Sequence, residues 1–169
     1  AQTLRIVIEL ENRYASFQGL NLTWEVLEGM AKHNGPIVGP NAPKVDAPKS
    51  IIKIANNYNL DPSNFAGPEA QVASLSDDIA YLNHDIDDGV RAKLLSLSTL
   101  KDFNLSGSIL EEVERQYPKE KNTIILHETI RRLIDAMIVD LIDETKRRIE
   151  KLKPTSSKDI SELGVPFVA

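Results

Sequence analysis

Asp77, Tyr81, Asp85 and Asp88 follow one another at spacings of four, four and three residues. Residues so spaced share one face of a helix, one turn above the next. Stacked carboxylates repel unless a cation sits among them, so the pattern has two readings: a solvated acidic face, or a face that binds metal or sugar. Asp78 points about 100° away and suits a structural salt bridge or cap. Lys32 precedes His33-Asn34-Gly35; in isolation it is a surface cation near a helix C-terminus, where its charge is favourable. His33 either assists it or caps the helix end. Arg131 and Arg132 either reach phosphate or pair with Glu128 and Asp135. His127 has no partner at helical spacing and reads as structural. No Gly-rich phosphate loop, HExxH or nucleophile elbow is present, so the sequence assigns no catalytic residue with certainty.

The elements that must position these residues are helical. Pro68 suits a first helical position, and Val72, Leu75, Ile79, Leu82 and Ile86 form an apolar stripe ending at Gly89. Residues 2–16 read as a helix that opens without a cap. Thr23 can cap the next helix; its apolar side is Trp24, Leu27, Met30 and Ala31, and it stops at Asn34-Gly35-Pro36. Four prolines between 36 and 48 make an irregular loop. A short helix then runs from Pro48 to about Asn59. Val90 to Leu97 extend a further helix, and Ser108 with Glu111 has capping-box spacing for the next. Lys119–Lys153 reads as one long helix buried through Ile130, Leu133, Ile134, Met137, Ile138, Leu141 and Ile142, laced by Glu128–Arg132, Asp143–Arg147 and Glu144–Arg148 pairs. Pro154 stops it, and Thr155–Ala169 is a tail or docking segment. No strand alternation is convincing, so the fold class is all-α, with 1–153 as one helical part and 154–169 as a C-terminal tail.

SDDIAY followed by NHDIDDG resembles the last metal-ligand helix of the deoxyguanosine triphosphate triphosphohydrolases, a branch of the HD-domain phosphohydrolases. LNLTWEVLEGMAKHNGP and AQTLRI are similar to two further stretches of that family, in the same order. The resemblance implies a multi-helix HD-type bundle. It makes Asp77 a metal ligand, Tyr81 and Asp85 sugar contacts and Lys32 a phosphate contact; His33, Arg131 and Arg132 are further candidates. The family's first His and adjacent His-Asp pair lie upstream of AQTLRI, where this chain begins. The expectation is therefore a C-terminal portion that lacks those three ligands and the helices carrying them. The literal His84-Asp85 pair is not the family's metal pair. The complete enzyme implied is a hydrolase that splits a deoxynucleoside triphosphate into deoxynucleoside and tripolyphosphate. It uses a divalent metal such as Mg or Mn and commonly assembles as a homo-oligomer. The competing reading is a non-catalytic helical interaction or regulatory module.

Composition bounds both readings. The chain has 169 residues, 41% of them hydrophobic, enough for a real core. Its net charge of −5 does not indicate a nucleic-acid surface, although a metal and local cations can still attract a triphosphate. There is no cysteine, which excludes disulfides and thiolate sites within the segment. No run approaches a membrane helix and no signal peptide is visible, so the expected location is cytoplasmic.

Overall fold

The computed structural model describes residues 2–44 and 46–168. Among these residues the regular structure is helical throughout, with no strand. The helices are α1 (Gln2–Arg5), α2 (Trp24–Lys32), α3 (Lys49–Asn57), α4 (Pro68–Arg91), α5 (Leu97–Leu100), α6 (Asn104–Gln116), α7 (Asn122–Leu152) and α8 (Ser157–Ser161). The chain divides into two compact units, Ala1–Ser74 with Thr145–Ala169, and Leu75–Glu144. No helix is long and apolar enough to cross a membrane among the described residues.

The first unit packs Leu4, Leu27, Ala31, Ala55 and Leu60 together, with Val7, Ile8, Met30, Ile51 and Ile54 against them. The expected helix over 2–16 is interrupted. After α1 the backbone widens into a π-helical turn, Ile6–Leu10, which Glu11 N–H closes on Ile6 O at 2.9 Å. The chain then folds back, with Leu20 N–H on Val7 O at 2.8 Å. Gly19 permits this: its φ is +70° and a Cβ there would run into the carbonyls of Val7 and Ile8. Thr23 occupies the N-cap of α2, but its side chain makes no capping bond. The Thr23 hydroxyl serves Glu25, whose carboxyl is held below its usual range by its own backbone N–H first and by that hydroxyl second. Trp24 is half exposed and donates to Asn59 O at 3.3 Å. The side that α2 buries is therefore Leu27, Glu28, Ala31 and Lys32, two charged residues among them.

The second unit centres on Leu100, Leu110, Val113, Ile125 and Leu126, with Ile86 and Val90 of α4 packed in. Gly89 does not end α4; it lies inside the helix, where a Cβ would stand 2.8 Å from Leu95 Cδ1. The helix stops two residues after it, at Arg91. Lys93 beyond adopts φ +60°, and Leu94 N–H reaches back to Gly89 O at 2.9 Å. α6 begins at Asn104, four residues before Ser108, whose hydroxyl instead donates to Leu105 O at 2.9 Å. Capping boxes occur at Ser96–Thr99 and Ser156–Asp159.

Only the first half of α7 is buried, through Ile125, Leu126, Thr129 and Leu133. Ile138 and Ile142 are exposed, which corrects the stripe read from the sequence. The Glu128–Arg132 pair forms at 3.2 Å.

Candidate functional site

The second unit presents Asp77, Tyr81, Asp85 and Asp88 on the exposed side of α4, together with Asp78. Tyr81 is 64% exposed. Successive members four residues apart turn by about 40° and rise about 6 Å, so Asp77 to Asp85 is a row roughly 12 Å long. Among the described residues no side chain hydrogen-bonds or ion-pairs with Asp77, Tyr81 or Asp85. An α-helix whose carboxylates stack in this way loses some stability to repulsion, and the row is open to a ligand.

The other side of α4 is different. Val72 and Leu82, expected in the apolar stripe, are 44% and 48% exposed, whereas Asn83 is 2% exposed. The buried line is thus rotated toward Asn83, whose amide donates to Ile79 O at 2.8 Å and to Met137 Sδ at 3.6 Å. Beside it a cleft of about 530 Å³ runs between α4 and α7, walled by Ile79, Ile134 and Ile138, with Asp87 and His127 at its polar edge. Asp87 accepts from Arg91 Nε at 2.7 Å. The Arg91 guanidinium in turn donates to His127 Nε2 at 3.0 Å. The Asp87 carboxylate, as hydrogen-bond acceptor and as charge, raises the Arg91 pKa above its ordinary value. His127 therefore has a partner that helical spacing within α7 could not reveal.

In the first unit Lys32 is 1% exposed, and its side chain has no exposure at all. Its ammonium donates to Glu28 Oε1 at 2.7 Å and to Asp61 O at 2.9 Å. A buried ammonium needs such partners, because removing a charge from water costs several kcal/mol. Asp61 is the first residue of a tight turn; its carboxylate accepts from the Ser63 hydroxyl at 2.6 Å, Ser63 N–H at 2.9 Å and Asn64 Nδ2 at 2.8 Å. These bonds, the Ser63 hydroxyl foremost, hold its pKa below the usual carboxylate value. Glu28 is the partner that the sequence reading missed, although its four-residue spacing from Lys32 was visible. The ammonium keeps a third N–H, but its side chain is wholly buried, so a phosphate reaches it only if the surroundings open. His33 Nδ1–H donates to Met30 O at 3.0 Å, which is the helix-end cap considered above. Arg131 pairs with Glu128 at 2.7 Å. Arg132 binds Glu128, Glu112 at 3.0 Å and Gln116 at 2.6 Å.

The donor set does not make a metal site by itself. Among the described residues no group of three His, Asp or Glu side chains could hold an ion, and Asp77 supplies one carboxylate.

No family model matches the chain. It is similar to curated proteins named deoxyguanosinetriphosphate triphosphohydrolase-like protein. Identity is 49% over 168 residues with that of Parvibaculum lavamentivorans, covering 99% of this chain and 42% of the relative. It is 48% over 162 residues with that of Brucella suis, covering 95% and 40%. It is 44% over 168 residues with that of Bartonella quintana, covering 99% and 42%. The chain thus spans about two fifths of the length of the curated relatives it matches.

Proposed function

We propose that this chain, similar over nearly all of its length to deoxyguanosinetriphosphate triphosphohydrolase-like proteins, is the C-terminal part of a metal-dependent deoxynucleoside triphosphate triphosphohydrolase. The observation that carries the proposal is the open row Asp77–Tyr81–Asp85 on α4, within a segment 44–49% identical to proteins of that name. The reaction releases deoxynucleoside and tripolyphosphate.

In this reading Tyr81 packs its ring against the deoxyribose. Asp85, one turn on, accepts a hydrogen bond from the sugar 3′-hydroxyl. Fixing the sugar at two points sets the position of the α-phosphate, and positioning is a large part of such catalysis. Asp77 offers a carboxylate to a divalent ion such as Mg or Mn, whose remaining ligands come from outside the described residues. Lys32 contributes positive charge toward the phosphates if its surroundings open. The segment alone, with a single carboxylate for the metal, does not turn over substrate.

The test uses a protein carrying this segment within the full length of its relatives. Asp85→Ala should erase the preference for a deoxy over a 2′,3′-dideoxy substrate in kcat/KM, because a hydrogen bond from the 3′-hydroxyl to the charged carboxylate, worth about 1.5–3 kcal/mol, is available only to the deoxy form. Lys32→Ala should weaken both substrates equally. Full retention of the 3′-hydroxyl preference in Asp85→Ala would overturn the sugar assignment. Turnover by the purified 169-residue chain with added manganese would overturn the metal assignment.

A further inference from the structure

One hydrogen bond between α4 and α7 has a direction that chemistry fixes. Arg91 Nη2 stands 3.0 Å from His127 Nε2. A guanidinium carries only N–H donors and does not lose its proton in a protein, so the histidine nitrogen accepts. His127 is therefore a neutral imidazole with its one proton on Nδ1. A histidine without such a partner favours the opposite form, with the proton on Nε2. The guanidinium is itself anchored: Arg91 Nε donates to Asp87 Oδ2 at 2.7 Å, one turn back on α4. Asp87 thus sets the place of Arg91, and Arg91 sets the tautomer of a residue 36 positions further along the chain.

His127 stands at the edge of the cleft between the same two helices, whose walls are Ile79, Ile134 and Ile138. Among the described residues no group accepts from its Nδ1–H. Asn83 and Asp87 line the same cleft, and the Oδ1 atom of each is buried without a partner. Buried polar groups are ordinarily paired, so these unmatched atoms mark the cleft as a place for a ligand. At about 530 Å³ it has the size of a small-molecule site. We infer that the cleft takes a flat aromatic heterocycle carrying both a bare ring nitrogen and an N–H, and that His127, held as the Nδ1–H tautomer by Asp87 and Arg91, selects it by donating to the ring nitrogen. The aliphatic walls take the ring faces, and the ring N–H answers the unmatched oxygens of Asn83 and Asp87. A fixed donor at His127 discriminates against a ring that lacks the acceptor, because its own hydrogen bond is then lost. The inference is independent of the reaction proposed above.

NMR on the 169-residue chain tests both halves. At about pH 8, where an ordinary imidazole is neutral, the nitrogen shifts of His127 should show Nδ1 protonated and Nε2 bare. Arg91→Met should move the proton mostly to Nε2; Arg91 is exposed at the end of α4, so its loss spares the core. The binding probes are 7-azaindole, which has a ring-nitrogen acceptor beside its N–H, and indole, the same shape with C–H in place of that nitrogen. The unmodified chain should bind 7-azaindole about three- to tenfold more tightly than indole, which is one neutral hydrogen bond expressed as an affinity ratio. In Arg91→Met that preference should vanish. A His127 protonated on Nε2 in the unmodified chain would overturn the tautomer assignment. Equal binding of the two probes, a preference unchanged in Arg91→Met, or binding of neither probe would overturn the ligand assignment.

Discussion

α2 and α4 both carry charged residues spaced to share one helix face, and the fold treats them in opposite ways. In α2, Glu28 and Lys32 face inward and meet at 2.7 Å with side-chain exposures of 10% and 0%. In α4, Asp77 and Asp85 face outward among their like. Distance alone does not separate a strong from a weak pair: Lys101 and Glu114 also meet at 2.7 Å, yet each is 40% exposed. In water that contact is screened and offset by side-chain entropy. Inside α2 neither partner can fall back on solvent, so each depends on the other. A charge placed inward is thus structural whatever else it does, whereas one placed outward can be altered with little effect on the fold.

The largest way to break this contrast is Lys32→Met. It strands Glu28 in the core and should destabilise the chain by about 3–5 kcal/mol, measured by urea unfolding. Replacing both partners, Lys32→Met with Glu28→Leu, should recover most of the loss. A single variant as stable as the unmodified chain would show the pair to be solvated.

Next in size, Gly89→Ala probes space rather than charge on α4. The new methyl must push Leu95 aside, and we expect a loss of about 1–3 kcal/mol. A gain, as the better helix propensity of Ala alone would give, would mean that Leu95 yields freely.

Smaller still, Asp85→Asn should raise stability by about 0.2–0.5 kcal/mol by relieving its repulsion with Asp88, three residues on, and the gain should fade in high salt. Tyr81→Ala should shift stability by no more than about 0.5 kcal/mol. A large loss in either variant would place the acidic row in a core, not on an open face. Lys101→Ala should cost less than about 1 kcal/mol.

The smallest effect concerns pH. Asp159 caps α8, and bonds from Thr155 N–H first, then from the Thr155 hydroxyl and Ser156, lower its pKa from 3.8 to about 2. A depressed carboxylate pKa stabilises the fold above its unfolded value, and that contribution is lost as pH falls from about 4 through about 2. An NMR titration should find the Asp159 carboxyl near 2; a midpoint near 4 would mean that the cap is not populated.

Helix existence was legible from local pattern, because periodicity, proline positions and turn residues act within a few residues of themselves. The stop at Asn34-Gly35-Pro36 and the short helix after Pro48 are of this kind. So is the row Asp77–Tyr81–Asp85, since spacing on one helix fixes a shared face. What local pattern misjudged was burial. The apolar stripe of α4 is rotated toward Asn83, Ile138 and Ile142 are exposed, and Trp24 lies at the surface.

The sequence by itself thus determined the helical class, the resemblance carried by three short stretches and the outward row on α4, all of which depend on neighbours along the chain. Only the tertiary structure decided that Lys32 is enclosed by Glu28 and Asp61, that His127 accepts from Arg91, and that Gln71 accepts from Phe167 N–H, 96 residues away. Those partners meet only when the chain closes on itself, and burial is a property of what closes over a residue.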